Sequence, residues 1–171
     1  AILAENGNRR AEWTKREASG EQALYYSAQF VESDDTDIAD GDLPTTELQR
    51  DYWEEAQELA AKQVLDRARE TSSTPESLTR ELIKLLNNPE SNQNTALLRA
   101  ENTDQADIVM NLLARAGIAS RSVMGLYLED ARRRQSLTPM VEIHTGEEWL
   151  LVNPTTGEVG VPPNLLLWHR G

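Results

Sequence analysis

The side chains able to do chemistry in this chain are few, and the missing ones are informative. The sequence contains no cysteine and two histidines, His144 and His169. Acyl transfer through a thiol needs a thiolate, made by placing Cys beside an imidazole or at a helix N-terminus, with a third group orienting the imidazole. Nothing here can supply that thiolate. Paired carboxylates are plentiful among 29 acidic residues, so Asp104, Asp107 and Glu142 read first as solvated or ion-paired groups and not as an acid–base pair. His144 lies in a strand pattern and His169 is the third-last residue of the sequence. No His-rich or Cys-rich ligand spacing suggests a metal, and no cofactor is expected.

Two segments carry spaced motifs in a fixed order. The first, Glu101 to Leu126, includes Leu112, Leu113, Arg115, Ala116, Gly117, Ile118, Ala119, Arg121, Val123 and Gly125. The second, Thr138 to Glu158, includes Val141, Glu142, Trp149, Pro154 and Thr155. Together they resemble the transglutaminase-like superfamily, over about a third of the chain. In that superfamily a Cys opens the helix, a strand reads H-x-W-x-E, and a later strand ends in Asp-Pro-Thr. The resemblance places the nucleophile at Asn102, the imidazole at Thr138 and the orienting carboxylate at Asn153. A carboxamide is no nucleophile, and Thr138 cannot take up a proton near neutral pH. Glu142 aligns with a recurrent Glu of the superfamily and reads as architectural. The expectation is a pseudoenzyme, with Asn102, Thr138, Asn153 and Glu142 forming a vestigial site that could bind a ligand. Asn102 has a structural reading as well, as an N-cap with Gln105 at the capping-box position.

The elements that must position these residues follow from periodicity. A helix over Thr103 to Ala116 with the inward stripe Ala106, Val109, Met110 and Leu113 would turn Asn102, four residues before Ala106, toward its packing partner. Gly117 ends that helix. Three strands follow, Ala119 to Leu128, Thr138 to His144 and Trp149 to Val152, the last two joined by a turn at Thr145-Gly146. Along the second strand His144 lies about 20 Å from Thr138, too far to replace a lost imidazole. Upstream, Thr45 is expected to cap a long helix to about Arg69 with the stripe Leu48, Tyr52, Ala56, Leu59, Ala60 and Val64. Thr74-Pro75 starts a second helix with Leu78, Leu82, Leu85 and Leu86 on one face, stopped by Asn87, Asn88 and Pro89. Residues 89 to 101 read as a polar connection.

The N-terminal part is less regular. Ala11 to Glu17 suits a short edge strand and Gln22 to Val31 alternates as a half-buried strand. Ser33 to Asp42 is acidic; Gly41 and Glu47 have EF-hand spacing, but Thr36 and Ile38 would fill ligand positions, so a solvated linker is expected. The basic run Arg132 to Arg134 reads as a solubilising loop tip. These patterns give an α+β fold of the transglutaminase-like, papain-like kind, with a helix on an antiparallel sheet. Residues 1–43 form a strand region and linker, and residues 44–171 the core, within a single compact domain.

A formal charge of −12 argues against nucleic acid and anionic membrane surfaces as partners of the domain. No stretch is long and apolar enough to span a bilayer, and no signal peptide is visible. Beginning at Ala1, the sequence reads as an excised or processed fragment. Within the superfamily, the degenerate frame and the following Pro-Pro-Asn-Leu-Leu-Leu-Trp segment resemble the bacterial inactive transglutaminase fused to seven transmembrane helices. That resemblance implies a periplasmic domain of a Gram-negative inner-membrane protein that binds or senses a peptide or a glutamate- or glutamine-like ligand. It would report to the membrane module of the same polypeptide. The alternatives are an amide hydrolase or transferase with a relocated centre, using Glu142 or His144, and a structural or assembly domain gating the membrane module.

Overall fold

The structure is a computed structural model that describes residues 2–3, 9–10, 19–20, 50–88, 92–99, 103–129 and 135–170. The chain divides into two compact units, Ala1–Asp42 and Leu43–Gly171. In the first, β1 (Ile2–Leu3) pairs antiparallel with β2 (Arg9–Arg10). The strands expected over residues 11–17 and 22–31, the acidic run 33–42 and the basic run 132–134 lie outside the described residues.

Among its described residues the second unit holds four helices, α1 (Glu55–Arg69), α2 (Pro75–Asn87), α3 (Asn92–Leu98) and α4 (Gln105–Arg115). They precede the strands β3 (Ser120–Tyr127), β4 (Leu137–His144), β5 (Trp149–Val152) and β6 (Leu165–Arg170). The sheet is antiparallel in the order β5-β4-β3-β6. This is the α+β class expected.

Among the described residues the first helix starts well after Thr45. Residues 51–54 are non-helical because α4 claims them. The Asp51 N–H donates to Asn111 Oδ1 at 2.8 Å, Asn111 Nδ2 returns a bond to Asp51 Oδ2 at 2.8 Å, and Arg115 Nη2 reaches the Asp51 carbonyl at 3.0 Å. Arg115 also lies 3.9 Å over the Trp53 ring. Tertiary hydrogen bonds to a buried Asn thus hold a segment whose own pattern is helical. The buried stripe of α1 shifts accordingly to Ala60, Ala61, Val64, Leu65 and Ala68. Tyr52 and Leu59, expected inside, are 91% and 58% exposed. Tyr52 precedes the helix, and Leu59 falls outside the arc that turns Ala60, Ala61, Val64, Leu65 and Ala68 inward.

α2 forms as its cap dictates: Thr74 Oγ1 accepts from the Ser77 N–H at 3.1 Å, Pro75 occupies the first helical position, and Leu78, Leu82 and Leu86 are buried. The polar connection expected over 89–101 instead contains α3. Its one buried apolar residue, Leu98, and the buried Thr95 give too weak a stripe to register as periodic. Tertiary bonds hold it, from Gln57 Nε2 to the Leu97 carbonyl at 3.2 Å and from Arg99 to the Leu86 carbonyl.

α4 is nearly encased: Ala106, Ile108, Val109, Asn111, Leu112, Leu113 and Ala114 are buried. It ends in a Schellman motif, with the Ile118 N–H on the Leu113 carbonyl at 2.9 Å and the Gly117 N–H on the Ala114 carbonyl at 3.1 Å. Gly117 has φ +79° there, a conformation that penalises any Cβ. The chain is thereby turned directly into β3.

The sheet separates two sets of side chains. Val141 and Ile143 of β4 and Val152 of β5 join the helices in one core, whereas Val123, Met140, Leu151 and Leu165 form a second cluster. Because successive side chains alternate across a strand, these are its two faces. β6 carries no strand signal in the sequence: its run Leu165, Leu166, Leu167, Trp168 lacks the alternation that marks a half-buried strand. Leu165 closes over Gly125, where an added Cβ would come within 2.8 Å of Leu165 Cδ1.

Candidate functional site

Each of the three positions aligned with catalytic residues has a different outcome. Asn102 lies outside the described residues, and it is not the N-cap of α4. That role falls to Asp104, extended at φ −70° and ψ 146° before the helix starts at Gln105. Counting back four from Ala106 therefore leaves the helix, so helical spacing does not assign Asn102 a direction.

Asn153 follows β5 and organises a turn. Its Oδ1 accepts from the Thr155 N–H at 2.9 Å and the Thr156 N–H at 3.2 Å, while the Gly157 N–H returns to the Asn153 carbonyl at 2.8 Å. A carboxylate could accept these bonds equally well; a carboxamide does so without adding charge to an acidic chain. The turn is fastened to the helices. Gln105 Nε2, at the first position of α4, donates to the Pro154 carbonyl at 2.7 Å and to Asn87 Oδ1 at 2.9 Å. Asn87 Nδ2, in the last residue of α2, donates to the Thr155 carbonyl at 2.6 Å. The N-terminus of α4 and the Asn-Pro-Thr turn therefore meet. In the sequence Gln105 reads as a capping-box residue and Asn87 as a helix stop, and local periodicity carries no trace of their long-range partners.

Thr138 sits near the start of β4, opposite Gly125 of β3. β4 pairs Val141 with Val152, so Thr138 runs past the end of β5 at the same end of the sheet as Asn153. By the pleat it shares the face of Met140 and Glu142, the one turned from the helices.

Glu142 on that face is a buried carboxylate between two guanidinium groups. Its Oε2 accepts from Arg121 Nε at 2.5 Å and from Arg170 Nε at 3.0 Å, and Oε1 accepts from Arg170 Nη2 at 3.3 Å. Arg121 in turn stacks 3.9 Å over Trp149, whose ring meets His144 edge-on at 5.1 Å. Both carboxylate oxygens are thus committed to ties among β4, β3 and β6. His144 Nδ1 accepts from the Gly146 N–H at 3.1 Å, which places that imidazole in the β4–β5 turn. His169, near the end of the sequence, is held in β6.

On the other side of the Asn-Pro-Thr turn an open groove of about 1290 Å³ runs between α2 and residues 156–162. It is lined by Arg80, Glu81, Lys84 and Asn88 on one side and by Val159 and Val161 on the other. Near the first turn of α4, burial holds the Asp107 carboxyl above the usual Asp range, assisted by the charges of Asp104 and Asp51. Among the described residues no group of three or more His, Cys, Asp and Glu could hold a metal ion.

Residues 1–102 match the family described as inactive transglutaminase fused to 7 transmembrane helices. The chain belongs to that family. No curated protein and no solved structure matches it. The inactive-transglutaminase description agrees with a chain that has no thiol, and the fusion makes this a domain of a membrane-associated protein. Among the described residues no helix is long and apolar enough to cross a membrane. The matched span ends at Asn102, ahead of Thr138, Glu142 and Asn153, so the family membership and the motif resemblance rest on adjoining, nearly separate parts of the chain.

Proposed function

We propose that this inactive transglutaminase domain is a non-enzymatic ligand-sensing module. It lies on the periplasmic side of the inner membrane of a Gram-negative bacterium and reports occupancy to the membrane module of its own polypeptide. The supporting observation is the pairing of a transglutaminase family match with a chain that lacks any cysteine. Without a thiolate, the acyl-enzyme step has no nucleophile.

The ligand is a peptide or a glutamate- or glutamine-like group, held at the end of the papain-like sheet around Asn102, Thr138 and Asn153. Amide and hydroxyl groups of that kind suit a neutral carboxamide better than a charged carboxylate. Glu142, on the same face of β4 as Thr138, acts as the anchor of β3, β4 and β6 and not as a ligand contact, since its oxygens are already taken up by Arg121 and Arg170.

Two measurements test this. A thermal-shift screen of free amino acids, γ-glutamyl compounds and short peptides should raise the melting temperature for at least one class, since a ligand that binds only the folded state stabilises it by mass action. Amide hydrolysis and transamidation assays should give rates indistinguishable from the buffer blank. No stabilisation by any compound removes the sensing role; a rate abolished by His144→Ala or Glu142→Ala replaces it with a relocated catalytic centre.

A further inference from the structure

One face of the sheet is covered by helices over only part of its length. On that face Ser120 lies opposite Ile143 and Ser122 opposite Val141, and Val141 and Ile143 are buried in the helical core. Farther along the same face Met124 lies opposite Pro139 and Leu126 opposite Leu137, and Leu126 also pairs with Leu166 of β6. Opposed residues of an antiparallel pair share a face, so Leu137, Leu126 and Leu166 stand in one row, about 10 Å wide at the usual strand spacing. Trp168, two residues after Leu166, falls beside this row. Leu167 lies opposite Gly125 and His169 opposite Met124, which leaves Trp168 as the extra residue of a bulge, a device that re-aims a side chain.

Among the described residues, Met124, Leu126, Leu137, Leu166 and Trp168 belong to neither apolar cluster of the fold. Leu137 is 41% exposed, Trp168 46% and Leu128, just past β3, 52%. Surface leucines scattered singly are ordinary, but apolar side chains gathered in one patch mark a contact surface.

Two facts select the occupant. The family is fused to transmembrane helices, so a lipid surface is always close to this domain. The sequence that joins Leu128 to Leu137 reads Glu-Asp-Ala-Arg-Arg-Arg-Gln-Ser, three cations against two anions in a chain of net charge −12. Residues 130–134 lie outside the described residues, but the loop leaves and re-enters the fold at the two leucines of the patch. The acidic remainder of the chain is repelled by anionic headgroups, and this end alone is suited to meet them.

We propose that Leu126, Leu128, Leu137, Leu166 and Trp168 form a surface on which the domain rests against a phospholipid bilayer. The leucines reach the acyl boundary, and the Trp168 indole sits at headgroup level, where such rings are enriched. Thr138, the neighbour of Leu137 on the opposite face, is thereby held near the membrane. This inference rests on the family membership and is independent of which ligand the domain takes.

The test uses the 171-residue chain, whose lack of cysteine lets single cysteines carry the environment-sensitive dye NBD. Reporters are placed at Leu128, Leu137 and Trp168, with controls at Leu59 and Leu97, which are equally exposed on α1 and α3. An N-terminal histidine tag holds the protein on vesicles of phosphatidylcholine and phosphatidylglycerol that contain a nickel-chelating lipid. The same protein on lipid-free nickel resin gives the baseline. Emission should rise about threefold at Leu128→Cys, Leu137→Cys and Trp168→Cys as the dye leaves water, and stay at baseline for Leu59→Cys and Leu97→Cys. Adding Leu137→Glu and Trp168→Glu should return the Leu128 reporter to baseline with the melting temperature unchanged. No rise at the three sites, an equal rise at the controls, or a rise that survives the two glutamates overturns the proposal. High emission on the resin that falls as the loading is lowered also overturns it, and assigns the face to a second copy of the chain.

Discussion

Gln105 reaches across from the first turn of α4 to the carbonyl of Pro154 at 2.7 Å, joining the helix start to the turn that ends β5. A neutral amide thus fastens the helix start to the Asn-Pro-Thr turn. Gln105→Ala removes this bond and the one to Asn87, at about 1 kcal/mol apiece or less for part-exposed groups. We expect a loss of roughly 1–2 kcal/mol by urea denaturation. Asn87→Ala should be less than additive with it, because the two share a network. Full additivity in that double-mutant cycle would show that the amides act separately.

Arg115 is the pin between α4 and the segment leading into α1. Its side chain is 6% exposed. It donates to Glu58 Oε1 and Oε2 at 2.6 and 3.0 Å and to the Asp51 carbonyl, and it stacks on Trp53. Arg115→Ala should destabilise by roughly 2–3 kcal/mol. Arg115→Lys should recover little of this, since an ammonium lacks the planar fork and the stacking face. Hydrogen exchange of residues 50–54 should rise in both variants. A Lys variant as stable as the parent contradicts the assignment.

The same pair sets a pH dependence. The hydrogen bonds from Arg115, reinforced by its charge and that of Arg50, hold the Glu58 carboxyl below its ordinary value. A lowered carboxylate contributes stability above the unfolded-state pKa and loses it as pH falls through the folded one. Acidification through the usual Glu range and below should therefore narrow the gap between the parent and Glu58→Gln. A gap that stays constant with pH would refute the linkage.

How much of this was legible beforehand depends on whether the cause was local. Thr74-Pro75 and Gly117 fix their helix ends through bonds within a few residues, and both ends appear where the sequence puts them. A helix running unbroken through residues 51–54, and with it the stripe through Tyr52, fails because Asn111 and Arg115, about 60 residues away, hold those residues in another conformation. α3 and β6 escape for a related reason: a helix with Leu98 as its one buried apolar side chain, and an unbroken Leu-Leu-Leu-Trp run, owe their form to neighbours. At the site, Asn153 is readable as a turn former. Its attachment to Gln105 and Asn87 is tertiary information that no spacing rule contains.

Glu142 makes the role of the sheet's far face measurable. Its side chain is 7% exposed between Arg121 and Arg170. Glu142→Gln keeps the shape but leaves two guanidinium groups without their shared anion, and should cost roughly 2–4 kcal/mol. Replacing all three with apolar residues of similar size should be far less harmful than the single change, because a buried ion triad owes its retention to geometry more than to net stability. A single variant within about 0.5 kcal/mol of the parent, the range of an ordinary surface substitution, would remove the triad as the anchor of β6.

Asp107 gives the opposite sign. Burial first, then the charges of Asp104 and Asp51, raise its carboxyl above the ordinary value. A raised acid favours folding below the unfolded-state pKa, and that contribution disappears as pH rises through the folded one. At pH 7 the ionised side chain therefore opposes folding, despite its favourable place in the first turn of α4. Asp107→Asn should raise the melting temperature at pH 7 by a small amount, damped by solvent because the residue is exposed. At pH 3 the gain should vanish, since the parent carboxyl is then protonated. Equal gains at both values would mean that the Asn side chain stabilises α4 by a route unrelated to the crowding of Asp51, Asp104 and Asp107.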